Sequence, residues 1–269
     1  MTSSYALVLV GCGKMGGAML DGWLAEGVSP QSVLVIDPFA KDLPAGVTVI
    51  PSADQMPAGT SAQVVVLAVK PQMMADVLPL YRPLVSPDTV FLSIAAGKTI
   101  AFFRQGLGEQ AIIVRAMPNT PAAIGRGMTV LCAGPGISES QKVHCATLLK
   151  ATGAVAWLED ESLMDAVTAV SGSGPAYVFH MVEAMAQAGI AMGLPADLSM
   201  LLARQTVAGA GELLHQSDLP AGQLRQNVTS PGGTTAAALD ILMSADGGLP
   251  DVMGKAIAAA TRRGKELAG

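Results

Sequence analysis

The sequence predicts an α/β fold: an N-terminal Rossmann-type domain built on a mainly parallel sheet, followed by an all-α C-terminal domain. Three observations lead there. Over the first 160 residues, short β-branched runs alternate with helical patterns, which is the rhythm of βαβ units. A glycine-rich turn, Gly11-Cys12-Gly13-Lys14-Met15-Gly16, directly follows the first apolar run. After Trp157 the strand signals stop, and the remaining segments read only as helices.

Ala6-Leu7-Val8-Leu9-Val10 is short, apolar and β-rich, and predicts a strand over 6–10. It leads into G-x-G-x-x-G. In that pattern Gly11 permits the tight turn, Gly13 lets backbone approach a pyrophosphate, and Gly16 lets the next helix, expected over 17–26, lie close to the strand. Val33-Leu34-Val35-Ile36 predicts the second strand, and Asp37 closes it, 21 residues beyond Gly16, where a carboxylate meets ribose hydroxyls. The loop and Asp37 together predict a dinucleotide site with Cys12, Lys14 and Met15 in its turn. Cys12 is either an oxidation-sensitive thiol or a small loop residue.

Further strands are expected at 47–50, 64–69, 90–94, 112–116, 128–132 and 155–158. Pro38 and Pro44 make the crossover after the second strand short or irregular. Ser138 and Gln141 form a capping-box signature for a helix reaching about Ala151, with Gly153 as its stop.

Helices are expected at 161–170, 174–192, 196–216, 220–226, 233–244 and 249–267, giving domains 1–160 and 161–269. The helix over 174–192 carries only His180, Glu183 and Gln187 as strongly polar residues. A helix apolar nearly all round is buried on all sides; a domain of about 109 residues could bury it alone, but with the small-residue stretch Val207-Ala208-Gly209-Ala210-Gly211 beside it a helix-exchanging homodimer is expected. The C-terminal domain is therefore expected to be a dimerisation domain. Two segments in it, TAVSGSGPAY (168–177) and NVTSPGGTTAA (227–237), read as glycine-broken helix openings rich in hydroxyls and free N–H groups. Such openings favour a small anion such as a carboxylate.

Composition narrows the function classes. The chain has 269 residues, is 51% hydrophobic and carries a net charge of −5, without a basic stripe or aromatic-basic interleaving, so no nucleic-acid surface is expected. No apolar run approaches the roughly 18 residues of a membrane span. Cys12, Cys132 and Cys145 show neither C-x-x-C pairing nor metal spacing with the three histidines, which fits a reducing cytoplasm and no metal site. No secretory signal pattern opens the chain.

Six stretches in order resemble 1-pyrroline-5-carboxylate reductase over nearly the full length: the glycine turn at 11–16, Ala68-Val69-Lys70-Pro71, Ser93-Ile94-Ala95-Ala96-Gly97, Arg115-Ala116-Met117-Pro118-Asn119-Thr120-Pro121, the serine-glycine opening at 171–177, and Ser230-Pro231-Gly232-Gly233-Thr234-Thr235. The resemblance implies reduction of 1-pyrroline-5-carboxylate to L-proline by hydride from NADH or NADPH, the final step of proline biosynthesis. It implies that Ser230, Gly233, Thr234 and Thr235, with Val228 beside them, hold the substrate, with Thr235 facing the ring nitrogen and Thr235 and Ser230 as the catalytic pair. Ser and Thr at a helix start are also plain caps. Where the family commonly has Glu near the substrate amine, this chain has Asp218, one methylene shorter and next to the turn residue Pro220.

The same resemblance places Ala68, Val69, Lys70 and Pro71 at the cofactor, with Ile94, Ala95 and Ala96 along its nicotinamide side and Asn119, Glu161 and Asn227 near it. Lys70 either meets the cofactor or is solvated, and Asn119 either orients backbone near the nicotinamide or stabilises a turn. Asp37 repels a 2′-phosphate, so NADH is expected to be favoured over NADPH, with Lys41 a partial offset.

Two other readings remain open at this stage. A β-hydroxyacid dehydrogenase shares the nucleotide domain but uses a lysine base on a helix of the second domain, and no lysine lies between residues 161 and 254 here. A non-catalytic NAD(H)-sensing module needs a charged effector surface, and no such segment is seen.

Overall fold

The computed structural model of the chain describes residues 3–268, and its central strands form where apolar, β-branched runs are covered on both faces. β1 (Ser4–Val10), β2 (Val33–Ile36), β3 (Thr48–Ile50), β4 (Ser61–Leu67), β5 (Val90–Ser93), β6 (Ile112–Met117), β7 (Gly127–Ala133) and β8 (Gly153–Leu158) make one sheet in the order β3-β2-β1-β4-β5-β6-β7-β8. All pairings are parallel except β6 with β7. All eight expected strands are present, β2 with the expected bounds and the others with shifted ends. The largest shift is at β4, which starts at Ser61 and stops at Leu67, leaving Ala68 and Val69 to the following loop.

Alternate residues of the buried strands face opposite helical layers. On one side Leu7, Leu9, Val64 and Val66 meet Met19, Leu20 and Trp23 of α1 (Lys14–Ala25). On the other, Val8, Val65 and Phe91 meet Met74 of α2 (Met74–Val77), the following Leu78 and Tyr81, and Phe103 of α3 (Ile100–Leu107). Each fully buried Val, Leu or Phe contributes about 1.5–3 kcal/mol relative to its exposed state. α4 (Glu139–Lys150) begins with the expected capping box: the Ser138 hydroxyl accepts from Gln141 N at 3.2 Å, and Gln141 Oε1 accepts from Ser138 N at 2.9 Å. Its stop differs from expectation. Ala151 is the C-cap residue, and Gly153 instead opens β8. Trp23 Nε1 donates to Leu148 O at 2.9 Å and ties α1 to α4 on one face.

The chain works outward from β1 to β3, then returns to lay β4 against the other side of β1 and continues to β8. That reversal opens a crevice at the carboxyl ends of β1 and β4, where doubly wound sheets bind ligands. The segment between β2 and β3 contains no helix, as its prolines require.

The chain divides into two compact units. The first runs to Gly172 and takes back the chain from Ala260 onward; the second is Ser173–Ala259. The expected boundary at 160 falls just after β8. The helix expected at 161–170 is broken: a 3₁₀ turn at Glu161–Leu163, then α5 (Met164–Val167), then a π-helical turn at Thr168–Gly172.

The second unit holds α6 (Gly174–Ala191), α7 (Ala196–Gln216), α8 (Ala221–Asn227), α9 (Thr234–Leu242) and the first turns of α10 (Leu249–Ala268). α6 and α7 approach closely at Gly189, where an added Cβ would lie 2.2 Å from Ser199 Oγ, and that hydroxyl donates to Ala186 O at 2.7 Å. Only Ala186 of α6 is buried by its own chain; Phe179 is 63% exposed, and Met181, Met185 and Ile190 are exposed with it. Among the described residues, no helix is long and apolar enough to cross a membrane.

Candidate active site

The glycine turn is held by close backbone approach. Gly11 has φ +90, a left-handed conformation that favours glycine, and donates its N–H to Ile36 O at 3.0 Å. Gly16 has no room for a side chain, because a Cβ there would sit 2.4 Å from Gly11 O. Gly13 is different: nothing lies within 4 Å of the place its Cβ would take, so the backbone there is open to a ligand. α1 starts at Lys14 with no side-chain cap and no acidic residue in its first turn, which leaves its leading N–H groups and positive dipole end for an anion. Beside the turn runs a cleft of about 670 Å³ lined by Cys12, Gly13 and Lys14, with Ala122 and Gly125 among its other walls. These features fit the pyrophosphate of a dinucleotide.

Asp37 sits at the end of β2, half-buried. Its Oδ2 accepts from Cys12 N at 2.6 Å and its Oδ1 from Phe39 N at 2.7 Å, so the carboxylate braces the turn. Burial, then the charges of Asp37 and Asp21, push the Cys12 thiol above its ordinary value, which keeps it protonated at neutral pH and makes the unreactive alternative the better fit.

The neighbouring strand ends carry the other loops. Ala68 N donates to Val10 O at 2.8 Å, and Ala68 and Val69 lie against Gly11, while Lys70 is exposed. Ile94 N reaches Leu67 O at 3.2 Å, Ala95 N donates to the buried Ser93 hydroxyl at 3.2 Å, and Ala96 is exposed. Asn119 has a stapling role. Its Oδ1 accepts from Met128 N at 2.8 Å, and its Nδ2 donates to both the carbonyl and the hydroxyl of Ser171 at 3.3 Å. These bonds hold backbone across loops rather than within one turn.

Glu161 is engaged inside the protein. Its Oε1 accepts from Ile100 N at 2.7 Å and from the Arg115 guanidinium at 2.6 Å. Arg115, a buried cation in mid-strand, escaped the sequence reading because its partner lies 46 residues away. Ser171 was read only as part of a helix opening.

In the second unit, Ser230-Pro231-Gly232-Gly233 forms a turn with Gly233 N donating to Ser230 O at 3.1 Å and Gly232 at φ +68. Proline followed by a positive-φ glycine is the signature of a type II turn. A Cβ at Gly233 would lie 2.5 Å from Ser230 Oγ, so only glycine lets that hydroxyl fold back over the turn. α9 follows with no side-chain cap, and Thr234 and Thr235 occupy its first two positions. Three hydroxyl residues, Ser230, Thr234 and Thr235, thus lie within the turn and the uncapped helix start that follows it. Val228 is 65% exposed beside it; Asn227, also exposed, accepts from Gln223 Nε2 at 2.9 Å. Asp218 is an exposed loop residue before α8.

The other expected helix opening is corrected. Ser173 has helical dihedral angles (φ −86, ψ −20), and the chain enters α6 from the π turn without the extended capping residue that a free helix start needs. The segment 168–177 therefore offers no separate anion-binding terminus.

Comparison with known proteins agrees with this geometry. A family described as pyrroline-5-carboxylate reductase dimerisation matches residues 161–267, and one described as NADP oxidoreductase, coenzyme F420-dependent, matches 6–97. The chain is 38% identical to a pyrroline-5-carboxylate reductase of Glycine max, covering 98% of this chain and 96% of that protein. To one of Pseudomonas aeruginosa it is also 38% identical, covering 99% and 98%. A pyrroline-5-carboxylate reductase structure from Coxiella burnetii superposes with a TM-score of 0.90 at 34% identity, covering 98% of this chain and 99% of that one. A Plasmodium falciparum pyrroline carboxylate reductase structure with NADP bound gives 0.82 at 29% identity over the whole of both chains. With a doubly wound nucleotide sheet, a helical C-terminal segment and full-length likeness to these enzymes, the chain belongs to the pyrroline-5-carboxylate reductase family.

Proposed function

We propose that this protein reduces 1-pyrroline-5-carboxylate to L-proline, the final step of proline biosynthesis, with NADH favoured over NADPH. The observation that carries the reading is the full-length likeness to relatives bearing that name, at 38% identity with nearly complete coverage of both chains. A nicotinamide, when bound, would supply the hydride. This chain's part is to orient two ligands and to steady charge.

The glycine turn at 11–16 and the open start of α1 hold the pyrophosphate, and Asp37 receives the ribose hydroxyls. Ala68 to Pro71 and Ile94 to Ala96 border the cofactor at the ends of β4 and β5, and Asn227 is proposed as a further cofactor contact. The turn at 230–233 and the first N–H groups of α9 hold the substrate carboxylate through Ser230, Gly233 and Thr234, with Val228 against its apolar side. Thr235 directs its hydroxyl to the ring nitrogen. That hydride would add to the C=N carbon of the protonated imine, the C–N π pair becoming the nitrogen lone pair of the secondary amine. Asp218 is proposed at the amine end, its shorter reach making it the weakest of these contacts.

The apolar α6 supports a homodimer in which a second copy covers it, with larger assemblies built from dimers. Three free cysteines support a reducing, cytoplasmic setting.

The direct test mixes the purified protein with pyrroline-5-carboxylate and NADH and follows loss of reduced-nicotinamide absorbance, with proline quantified at the end. Stoichiometric proline is expected. Cofactor binding without oxidation points instead to a sensing module, and turnover of a β-hydroxyacid alone to the dehydrogenase alternative. That last reading is disfavoured by the absence of any lysine between 161 and 254.

A further inference from the structure

The loop between β5 and α3, Ile94 to Thr99, carries the residues that the reductase reading places beside the nicotinamide. Its entry is fixed by Ile94 N on Leu67 O and by Ala95 N on the buried Ser93 hydroxyl. At its exit, Thr99 caps α3 by accepting from Phe102 N at 3.1 Å. One donor at that helix start, Ile100 N, is taken by Glu161, 61 residues further along the chain. The same carboxylate oxygen receives the Arg115 guanidinium, whose side chain is only 9% exposed. Arg115 stands on β6 directly beside Ser93 of β5 in the sheet register. Glu161 therefore draws together the helix start that ends the loop and the strand next to the one that begins it.

We propose that Glu161 is a positioning residue for the nicotinamide end of the site, acting on the loop through Ile100 N, with Arg115 as its buried charge partner, rather than touching the cofactor. The role rests on the reductase reading for what the loop faces. Two independent features support it. The Oε1 atom is already occupied by two donors inside the protein. A negative charge at the start of α3 also suits the helix dipole while it neutralises a cation that has almost no access to water. Between the anchors, Ala96, Gly97 and Lys98 form a short span whose backbone path depends on both ends being held. Lys98 is itself drawn over the Phe102 ring at 4.7 Å, on the first turn of the same helix.

A pair of double variants separates positioning from folding. Arg115→Met with Glu161→Gln removes both charges but keeps an oxygen that accepts from Ile100 N; Arg115→Met with Glu161→Ala removes that oxygen too. Neither leaves a buried charge unpaired, so both are expected to fold. Affinity is read by calorimetry for NADH and for ADP-ribose, which lacks the nicotinamide, and Tm is read on the same samples. The Gln variant is expected to bind both ligands within about twofold of the parent. The Ala variant is expected to lose about tenfold in NADH affinity, the scale of one hydrogen bond, while ADP-ribose changes by less than about twofold.

Equal losses for the two ligands, no loss for either, or the same NADH loss in both variants would overturn the role. If the Ala variant does not fold, the single variant Glu161→Gln takes its place: it is expected to lower Tm and leave NADH affinity near the parent's, and a large NADH loss overturns the proposal. A parent that binds NADH without reducing the imine defeats the reductase reading alone. A parent that binds neither ligand defeats both.

Discussion

The backbone N–H of Cys12 donates to Asp37 Oδ2 at 2.6 Å, which joins the acid at the end of β2 to the glycine turn at the end of β1. With Oδ1 accepting from Phe39 N, backbone donors fix both carboxylate oxygens in direction. The negative charge is thus placed by the fold before any ribose arrives. An acid that shapes the turn and is proposed to select the cofactor would link loop geometry to specificity.

Neutralising that charge is expected to change the choice of cofactor. Asp37→Asn keeps one acceptor oxygen but no longer repels a 2′-phosphate. Two unit charges 4 Å apart at an effective dielectric of about 20 interact by about 4 kcal/mol; a quarter of that, after solvent screening, is worth about fivefold. The ratio of kcat/KM for NADPH to that for NADH is expected to rise by about fivefold. An unchanged ratio removes Asp37 from cofactor selection.

Gly16→Ala tests the packing of the turn. Its Cβ would stand 2.4 Å from Gly11 O, a backbone atom that cannot move without shifting β1's end and the start of α1. Overpacking of this kind costs about 1–3 kcal/mol. A fall in Tm together with a loss of NADH affinity is expected by thermal melting and fluorescence titration. Gly13→Ala is the matched control, since open space surrounds that position, and it is expected to lose cofactor affinity while keeping its Tm.

The fold was legible in the sequence because buried parallel strands read as apolar runs between turn residues. Val33–Ile36 and Val90–Ser93 are buried along their whole length and were delimited within a residue. The Ser138 cap was legible because both partners lie within three residues of each other. Long-range pairing was not: Glu161 finds Arg115 and Ile100 only after β6, α3 and the chain beyond β8 have come together, and no local pattern encodes that meeting. The π turn at Thr168–Gly172 was missed for a related reason. Glycine and serine read as a helix start, yet here Gly172 lets the chain lie against Met117, where a Cβ would be 2.4 Å from the methionine's methyl carbon. The 230–235 turn, by contrast, is encoded locally by Pro231 and Gly232.

Thr235→Ala tests the proposed catalytic hydroxyl. Thr235 is partly exposed on an uncapped helix start, and its side chain makes no cap, so the loss of stability is expected to stay within about 0.5 kcal/mol. Losing a hydrogen bond to a charged iminium costs about 1.5–3 kcal/mol, which lowers kcat by roughly tenfold to a hundredfold. Parental turnover in the variant would exclude Thr235 from the mechanism.

The uncovered α6 predicts the assembly. Light scattering at micromolar concentration is expected to return at least twice the 27.3 kDa of one chain. Phe179→Asp, which puts a charge where the aromatic ring is 63% exposed in the single chain, is expected to shift the mass toward the monomer. A parent that already runs as a monomer contradicts the second-copy reading of this face.

Alkaline stability follows from two buried groups. Burial pushes the Cys145 thiol from 9.0 up to about 12 and the Tyr81 hydroxyl from 10.0 up to about 12. A group whose folded value is raised stabilises fully below its unfolded value and loses that contribution as pH rises through the folded one, because above the unfolded value the unfolded chain sheds its proton while the folded chain keeps it. Stability is therefore expected to be insensitive to these groups below about pH 9 and to fall from there toward about pH 12, with a limiting slope of about 1.4 kcal/mol per pH unit for each group. Urea unfolding across this range checks the parent against Cys145→Ala. The variant starts slightly less stable because α4 loses a buried sulfur, yet its decline between about pH 9 and 11 should be shallower by Cys145's share of the slope. Parallel declines in the two proteins would mean that the thiol ionises as readily in the fold as in the unfolded chain.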